Sequence, residues 1–293
     1  MSLLGTPAVE QKLTHEEYMN KRRMDVIEEM MRVPHSPTAQ FELPNGYLTV
    51  SGKLLRHVTL HEITGYEEDM LGSELMKSFD KTNQLMSSCL RRLTNEDATE
   101  VIEDPRKMVS LPYELTSTDR VFLIFAIRRV SVGDVFPFVT TCPYCEKEDI
   151  FACNIATEMQ VMPMKDPLNH VYRGETPYGT KFEWRVLNGS LERELSEIKD
   201  VDRQKHSVTY GMFIRLLSLN GSKPRLADLK ELGLSDRGYI KDEFTEIEGG
   251  IDTSVSVDCG FCSKNFRYPV NPQSSGFFFP HRVLRDWKKK YSL

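Results

Sequence analysis

The sequence lacks any run of about 18 apolar residues, so nothing in it reads as a membrane-spanning helix. Its first residues, MSLLGTPAVEQKLTHEEYMNKRR, lack the charged-then-apolar layout of a secretory leader, which predicts folding in a reducing cytosol. P-loop, Rossmann glycine fingerprint, GxSxG and paired-carboxylate patterns are all missing. Their absence lowers the case for an enzyme without closing it. A surplus of positive charge is missing too. The formal net charge of -5 argues against a protein that coats nucleic acid. The one concentrated basic run is Arg282, Arg285, Lys288, Lys289 and Lys290. Cysteine is scarce, with six in 293 residues. Four of the six form two CxxC pairs, and in a reducing compartment such pairs bind metal more often than they form disulfides.

What is present suits a folded chain. Hydrophobic content of 40% and charged content of 28% are ordinary for globular proteins, and the length allows one large domain or two small ones. Thr14 and Glu17 make a capping box that opens a helix carrying Met24, Ile27 and Met31 on one side. That helix is expected to stop before Pro34. Pro44-Asn45-Gly46 signals a hairpin. A helical pattern runs from Thr59 to about Leu93. STDRVFLIFAIRRVSVGD follows as a buried helix capped by Ser117 or Asp119, and VFPFVTTCPYCEKEDIFACNI reads strand, knuckle, strand.

The second half repeats this order. A shift of 117 positions places Asp119-Arg120 on Asp236-Arg237, Gly133 on Gly250, Cys142 on Cys259, Cys145 on Cys262 and Lys147 on Lys264 without a gap. The frame predicts an internal duplication. The expected fold is α+β: two similar modules of hairpin, helices and strand–CxxC–strand, joined by a pair of zinc knuckles. The expected divisions are an N-terminal helical arm at 1–39, a first module at 40–165, a second at 166–275 and an aromatic, basic docking tail at 276–293.

CPYC admits two chemistries. In a redox dithiol the attacking sulfur sits at a helix N-terminus, where the dipole lowers its pKa. Here EKEDIFACNI shows no helical stripe, and Glu146, Glu148 and Asp149 lie just downstream. A structural zinc site instead needs four ligands in a tetrahedron, and a CxxC on a tight turn supplies two. Cys142, Cys145, Cys259 and Cys262 would then complete one site, with Lys147 and Lys264 offsetting the charge of four thiolates. Zinc is favoured over the dithiol, with unmetallated thiols as the third reading.

The remaining candidates read as structural. Cys89 and Cys153 are expected as small buried residues. His57 and His61, spaced i, i+4, lack a carboxylate pattern such as HExxH and are expected at the surface. The segment SSGFFFPHRVLRDWKKKYSL either plugs the protein's own core with Phe277 to Phe279 or docks on a partner.

EITGYEEDML (62–71), STDRVFLIFAIRRVSVGDVFPF (117–138), CPYC (142–145) and the closing LSDRGYI, GGIDTSVSVDCGFC and FFFP resemble the baseplate hub proteins of T-even-type, contractile-tailed bacteriophages. In that family a DR-initiated helix precedes S-x-G-D and a Cys-Pro-x-Cys knuckle, matched here by Asp119-Arg120, Ser131 to Asp134 and Cys142 to Cys145. Glu146 departs from the glycine common after the knuckle but removes no ligand. The resemblance implies a non-enzymatic structural or assembly component of a virion tail baseplate, made in the host cytoplasm. Its structural Zn²⁺ would be architectural, and its partners would be other tail proteins rather than membrane or nucleic acid. The alternatives are a cytosolic zinc-dependent adaptor or nucleic-acid-binding module and, less favoured, a thiol-disulfide oxidoreductase.

Overall fold

The computed structural model describes residues 14–32, 36–272, 274 and 276–291. Residues 1–13 of the arm, and the stop at Pro34, lie outside them. Helix α1 (His15–Met30) opens on the expected capping box, the Glu17 N–H donating to Thr14 Oγ1 at 3.2 Å and the Thr14 N–H to Glu17 at 2.6 Å. Strands β1 (Thr38–Leu48) and β2 (Leu54–His61) are followed by α2 (Gly65–Gly72), α3 (Ser78–Cys89), β3 (Leu90–Thr94) and β4 (Val101–Ile102). These four strands form one antiparallel sheet in the order β1-β2-β3-β4. Helices α4 (Pro105–Glu114) and α5 (Ser117–Val132) then lead to the hairpin of β5 (Val135–Thr141) and β6 (Glu148–Asn154), and on to β7 (Gln160–Met162).

Strands β8 (Val171–Glu175) and β9 (Lys181–Arg185) begin the second half, followed by α6 (Gly189–Glu197), α7 (Asp200–Phe213) and β10 (Leu216–Leu219). Strand β10 returns to pair with β9, as β3 returns to β2. Helices α8 (Leu226–Glu231) and α9 (Leu234–Glu248) lead to β11 (Gly250–Asp252), which pairs with β7. A second hairpin, β12 (Ser254–Asp258) and β13 (Asn265–Pro269), precedes helix α10 (Pro280–Tyr291). The fold is mixed α+β, with antiparallel pairing throughout the described strands. No helix among the described residues is long and apolar enough to cross a membrane.

Local contacts recur between the halves. Arg120 donates to the Pro112 carbonyl and Arg237 to the Leu229 carbonyl, a pair related by the 117-residue frame. Asp119 accepts the Asn45 N–H at 2.8 Å from the first hairpin, and Asp236 accepts the Thr180 hydroxyl at 3.1 Å from the second. The Ile63 N–H donates to Ser131 Oγ, and the Leu187 N–H to the carboxylate of Glu248, which is the position of Ser131 in the frame.

Several boundaries differ from expectation. Pro44-Asn45-Gly46 is not the hairpin turn. It sits inside β1 at a register shift between Glu42 and Tyr47, where Asp119 takes the N–H groups of Asn45 and Gly46. The turn lies at Thr49 to Lys53, closed by the Thr49 N–H on the Lys53 carbonyl. Thr116, rather than Ser117 or Asp119, caps α5. His57 and His61 stand on β2, not on a helix, and both are half-buried.

Four apolar clusters hold the chain. One lies between the first sheet and α3 to α5, another among β8 to β10, α7 and α9. A third is aromatic: Phe136 and Phe138 of β5 meet Phe125 of α5 and Val255 and Val257 of β12. Phe277 is fully buried in it, edge-on to Phe125 at 5.1 Å. The fourth packs Met24 and Ile27 of α1 on Ile150 of β6 and on Leu284 and Trp287 of α10. Leu284, Trp287 and Phe277 therefore serve the protein's own interior.

Candidate metal centre

Each hairpin ends in a knuckle of the same build. The Cys142 N–H donates to the Lys147 carbonyl at 2.9 Å and the Cys259 N–H to the Lys264 carbonyl at 3.0 Å. The Glu146 N–H returns to the Cys142 carbonyl at 3.0 Å, and the Ser263 N–H to the Cys259 carbonyl at 2.8 Å. Closing so tight a loop puts one residue in the left-handed region, Glu146 at φ 59° and Ser263 at φ 57°, where glycine is the unstrained choice. The turn also aims N–H groups at the first sulfur: Tyr144 donates to Cys142 Sγ at 3.5 Å and Phe261 to Cys259 Sγ at 3.4 Å.

The two knuckles meet tip to tip. Cys142 Sγ lies 3.7 Å from Cys262 Sγ and Cys145 Sγ lies 3.6 Å from Cys259 Sγ, and all four sulfurs fall within 4.8 Å of one another. Four sulfurs each about 2.3 Å from a central ion would be separated by about 3.8 Å, the edge of that tetrahedron. The distances match a four-thiolate cage and are far too long for disulfides, which close at about 2.05 Å. Cys142 and Cys259 are buried, whereas Cys145 and Cys262 are partly exposed.

The thiols differ in acidity. Burial opposes ionisation of Cys142, but the N–H groups of Tyr144 and Cys145 outweigh it and bring the pKa down to about 7. At Cys145 the Lys147 N–H acts in the same direction, but burial and the neighbouring thiols push the group up to about 12. Cys262 is also raised, against the pull of the Lys264 N–H, by burial and by Cys259 and Cys142. Cys142 is thus the readier to ionise, and Cys145 and Cys262 resist. A divalent cation removes that conflict by binding the charged form of all four.

Cations surround the cage. Lys147 of the first knuckle lies over the Phe261 ring of the second, 4.5 Å from its centroid, and Lys264 lies over Tyr144 of the first at 4.9 Å. Arg23 comes from α1 and stands 5.5 Å from the Phe261 centroid. Its guanidinium packs on Gly260, where a Cβ would overlap Nη2, and forms an ion pair with the fully buried Asp149 of β6. Sequence reasoning reached both lysines but missed Arg23, because nothing local marks a contact between residues 23 and 260.

The other cysteines stand apart from the cage. Cys89 lies in the first core and Cys153 in the aromatic cluster, and burial pushes each up to about 12. Neither CxxC opens a helix, so the helix dipole that activates a redox thiol is missing. The two hairpins meet at a four-cysteine cluster, compatible with a metal site. Residues 37–209, more than half of the chain, match the family described as T4 bacteriophage base plate protein. The chain belongs to that family and is a structural component of a phage baseplate. The match includes the first knuckle and stops short of the second. Neither the curated proteins nor the solved structures give a match.

Proposed function

We propose that Cys142, Cys145, Cys259 and Cys262 hold one structural Zn²⁺, and that the chain is a non-enzymatic connector between neighbouring proteins of the tail baseplate. The observation carrying this reading is the cluster of four sulfurs, all within 4.8 Å, delivered by two hairpins of a baseplate-family chain. Bound zinc supplies a cross-link rather than a reaction, because four protein ligands leave no position open for substrate. The protein's own groups shape the site: the knuckle N–H groups bond the first sulfur of each pair, and the lysines soften the charge from the opposite knuckle.

We read the chain as two duplicated modules, with an arm and a tail that pack on the first hairpin, the arm reaching the second knuckle through Arg23. The recurring contacts of Arg120 and Arg237 support the duplication. The divisions at 1–39, 40–165, 166–275 and 276–293 follow from it. The virion tail is its place of work.

Elemental analysis of the purified chain tests the site. About one zinc per chain is expected, and Cys259→Ser should remove it and lower the melting temperature, whereas Cys89→Ala should keep the metal. A folded, zinc-free wild-type chain refutes the cage. Co-sedimentation with tail particles tests the connector role, which fails if the chain appears only free of particles in infected cells.

A further inference from the structure

The joint between the two halves is one-way. A donor element of the second half, Leu187-Asn188-Gly189 and the start of α6, lies on an acceptor element of the first, Leu115-Thr116-Ser117 and the start of α5. The Ser117 N–H donates to the Leu187 carbonyl at 2.9 Å and the Gly189 N–H to the Leu115 carbonyl at 3.2 Å, with Thr116 and Asn188 opposite each other. Glu192 then accepts from Arg120 Nε at 2.9 Å and from Ser117 Oγ. The approach is close enough to need glycine: a Cβ on Gly189 would lie 2.6 Å from Arg120 Nη1 and 2.8 Å from Tyr113 Cα.

Each half carries both elements, so one joint leaves one of each over. The spare donor is Ile63-Thr64-Gly65 and the start of α2. Thr64 stands at the N-cap position of α2 as Asn188 does at that of α6, Gly65 stands where Gly189 does, and Glu68 stands where Glu192 does. Their correspondence is fixed by structure, since the Ile63 N–H is held by Ser131 as the Leu187 N–H is held by Glu248. The spare acceptor is Leu232-Gly233-Leu234 and the start of α9. Arg237 repeats the carbonyl contact of Arg120, and its Nη2 donates to Thr209. Its Nε, the atom that in Arg120 takes Glu192, has no partner among the described residues.

Three observations show that the spare ends are unsatisfied within the chain. Tyr66 on the donor is 88% exposed and Leu234 on the acceptor 84%, large apolar side chains standing in water. Gly65 has open space around its missing Cβ and no left-handed backbone to explain a glycine, whereas the equivalent Gly189 is explained by the surface pressed against it. The charges are complementary, Glu68 against Arg237. Among the described residues Glu68 is held only by an exposed contact with Arg282 at 3.3 Å, a kind of pair worth little in water.

We propose that copies of this chain associate head to tail, the Ile63–Glu68 element of one copy docking on the Leu232–Arg237 element of the next and reproducing the joint inside each chain. The contact is heterologous, so it builds a ring or a filament rather than a closed two-fold dimer. It stands independently of the metal.

Sedimentation velocity of the full-length, metal-loaded chain across a concentration series tests it. Association should strengthen with concentration, and Gly65→Val and Leu234→Glu should each raise the dissociation constant at least tenfold while leaving circular dichroism and melting temperature unchanged. Both positions are exposed, so neither change should disturb the fold. The direction is tested by mixing a Thr64→Cys chain with a Gly233→Cys chain under mild oxidation, because these positions match the opposed Asn188 and Thr116. A linked pair confined to the mixture supports the head-to-tail contact. A monomer at every concentration with no link in the mixture overturns it, as does linkage of either variant to itself with equal yield, or association indifferent to both surface substitutions.

Discussion

Gly260→Ala isolates the grip of α1 on the four-cysteine cluster. Gly260 does not occupy the left-handed region, so alanine suits its backbone and would ordinarily stabilise by about 0.4–1 kcal/mol through the unfolded chain. The structure reverses that expectation. The new methyl would overlap Arg23 Nη2 and lie 2.5 Å from Cζ, so the guanidinium must shift, which disturbs its ion pair with Asp149. Asp149 is fully buried; burial raises its pKa and the charge of Arg23 pulls it back down. Removing one partner of a buried ion pair costs about 3–5 kcal/mol. Arg23 is partly exposed and can keep some contact, so we expect a net loss on the order of 1–3 kcal/mol. Urea unfolding of the zinc-saturated chain measures it, and the decisive arm repeats the change in an Arg23→Ala background. There the obstacle is gone, and alanine should be neutral or stabilising. An equal cost in both backgrounds refutes the reasoning, because the effect would then not run through Arg23.

Phe277→Ala should cost about 3–5 kcal/mol by urea unfolding, as expected for a buried phenylalanine, because the ring of Phe277 is fully buried against Phe125 and Phe136; a loss below about 1 kcal/mol would show that the tail does not plug the core. Burial raises Asp119 from 3.8 to about 6, overcoming the Asn45 and Gly46 N–H groups and the Thr116 hydroxyl. Because the folded pKa is the higher one, the contribution of Asp119 to stability falls as pH rises from about 4 through 6 and is flat above. Each pH unit between those two values removes about 1.4 kcal/mol at most. Asp119→Asn should flatten that part of the pH–stability curve relative to wild type, and parallel curves would count against it.

Much of the cage was legible because its chemistry is written twice in one frame. Two CxxC pairs 117 residues apart, each followed by lysine, carry their meaning in spacing alone. The joint was harder to see, since Gly65 and Gly189 are offset by 124 residues rather than 117, and only the bonds of Ser131 and Glu248 align them. Leu90 and Leu93, three apart, read as a helical stripe, but β3 buries them from a strand at the end of α3. Helix α4 carried a signal that went unread, Asp104 as its cap and Pro105 as its first residue. Arg23 could not have been found, because the shape of Gly260 that admits it exists only after α1 folds against the knuckles.

The cysteine tips and the joint obey different symmetries. At the tips every contact is returned: Cys142 meets Cys262 as Cys259 meets Cys145, and each lysine covers the other knuckle's ring. At the joint nothing is returned, since Glu192 reaches Arg120 while Glu68 does not reach Arg237. The tips are thus reciprocal and the joint is not. Before the second hairpin the chain turns through Gly249 and Gly250, at φ 65° and 159°, where α9 ends against the Met162 carbonyl. In the first half Arg128 ties α5 to the Gly133 and Val135 carbonyls; Thr245, 117 positions on, has a side chain too short to do the same. Where the first half ties its long helix to the strand that follows through one arginine, the second half leaves that corner to two glycines.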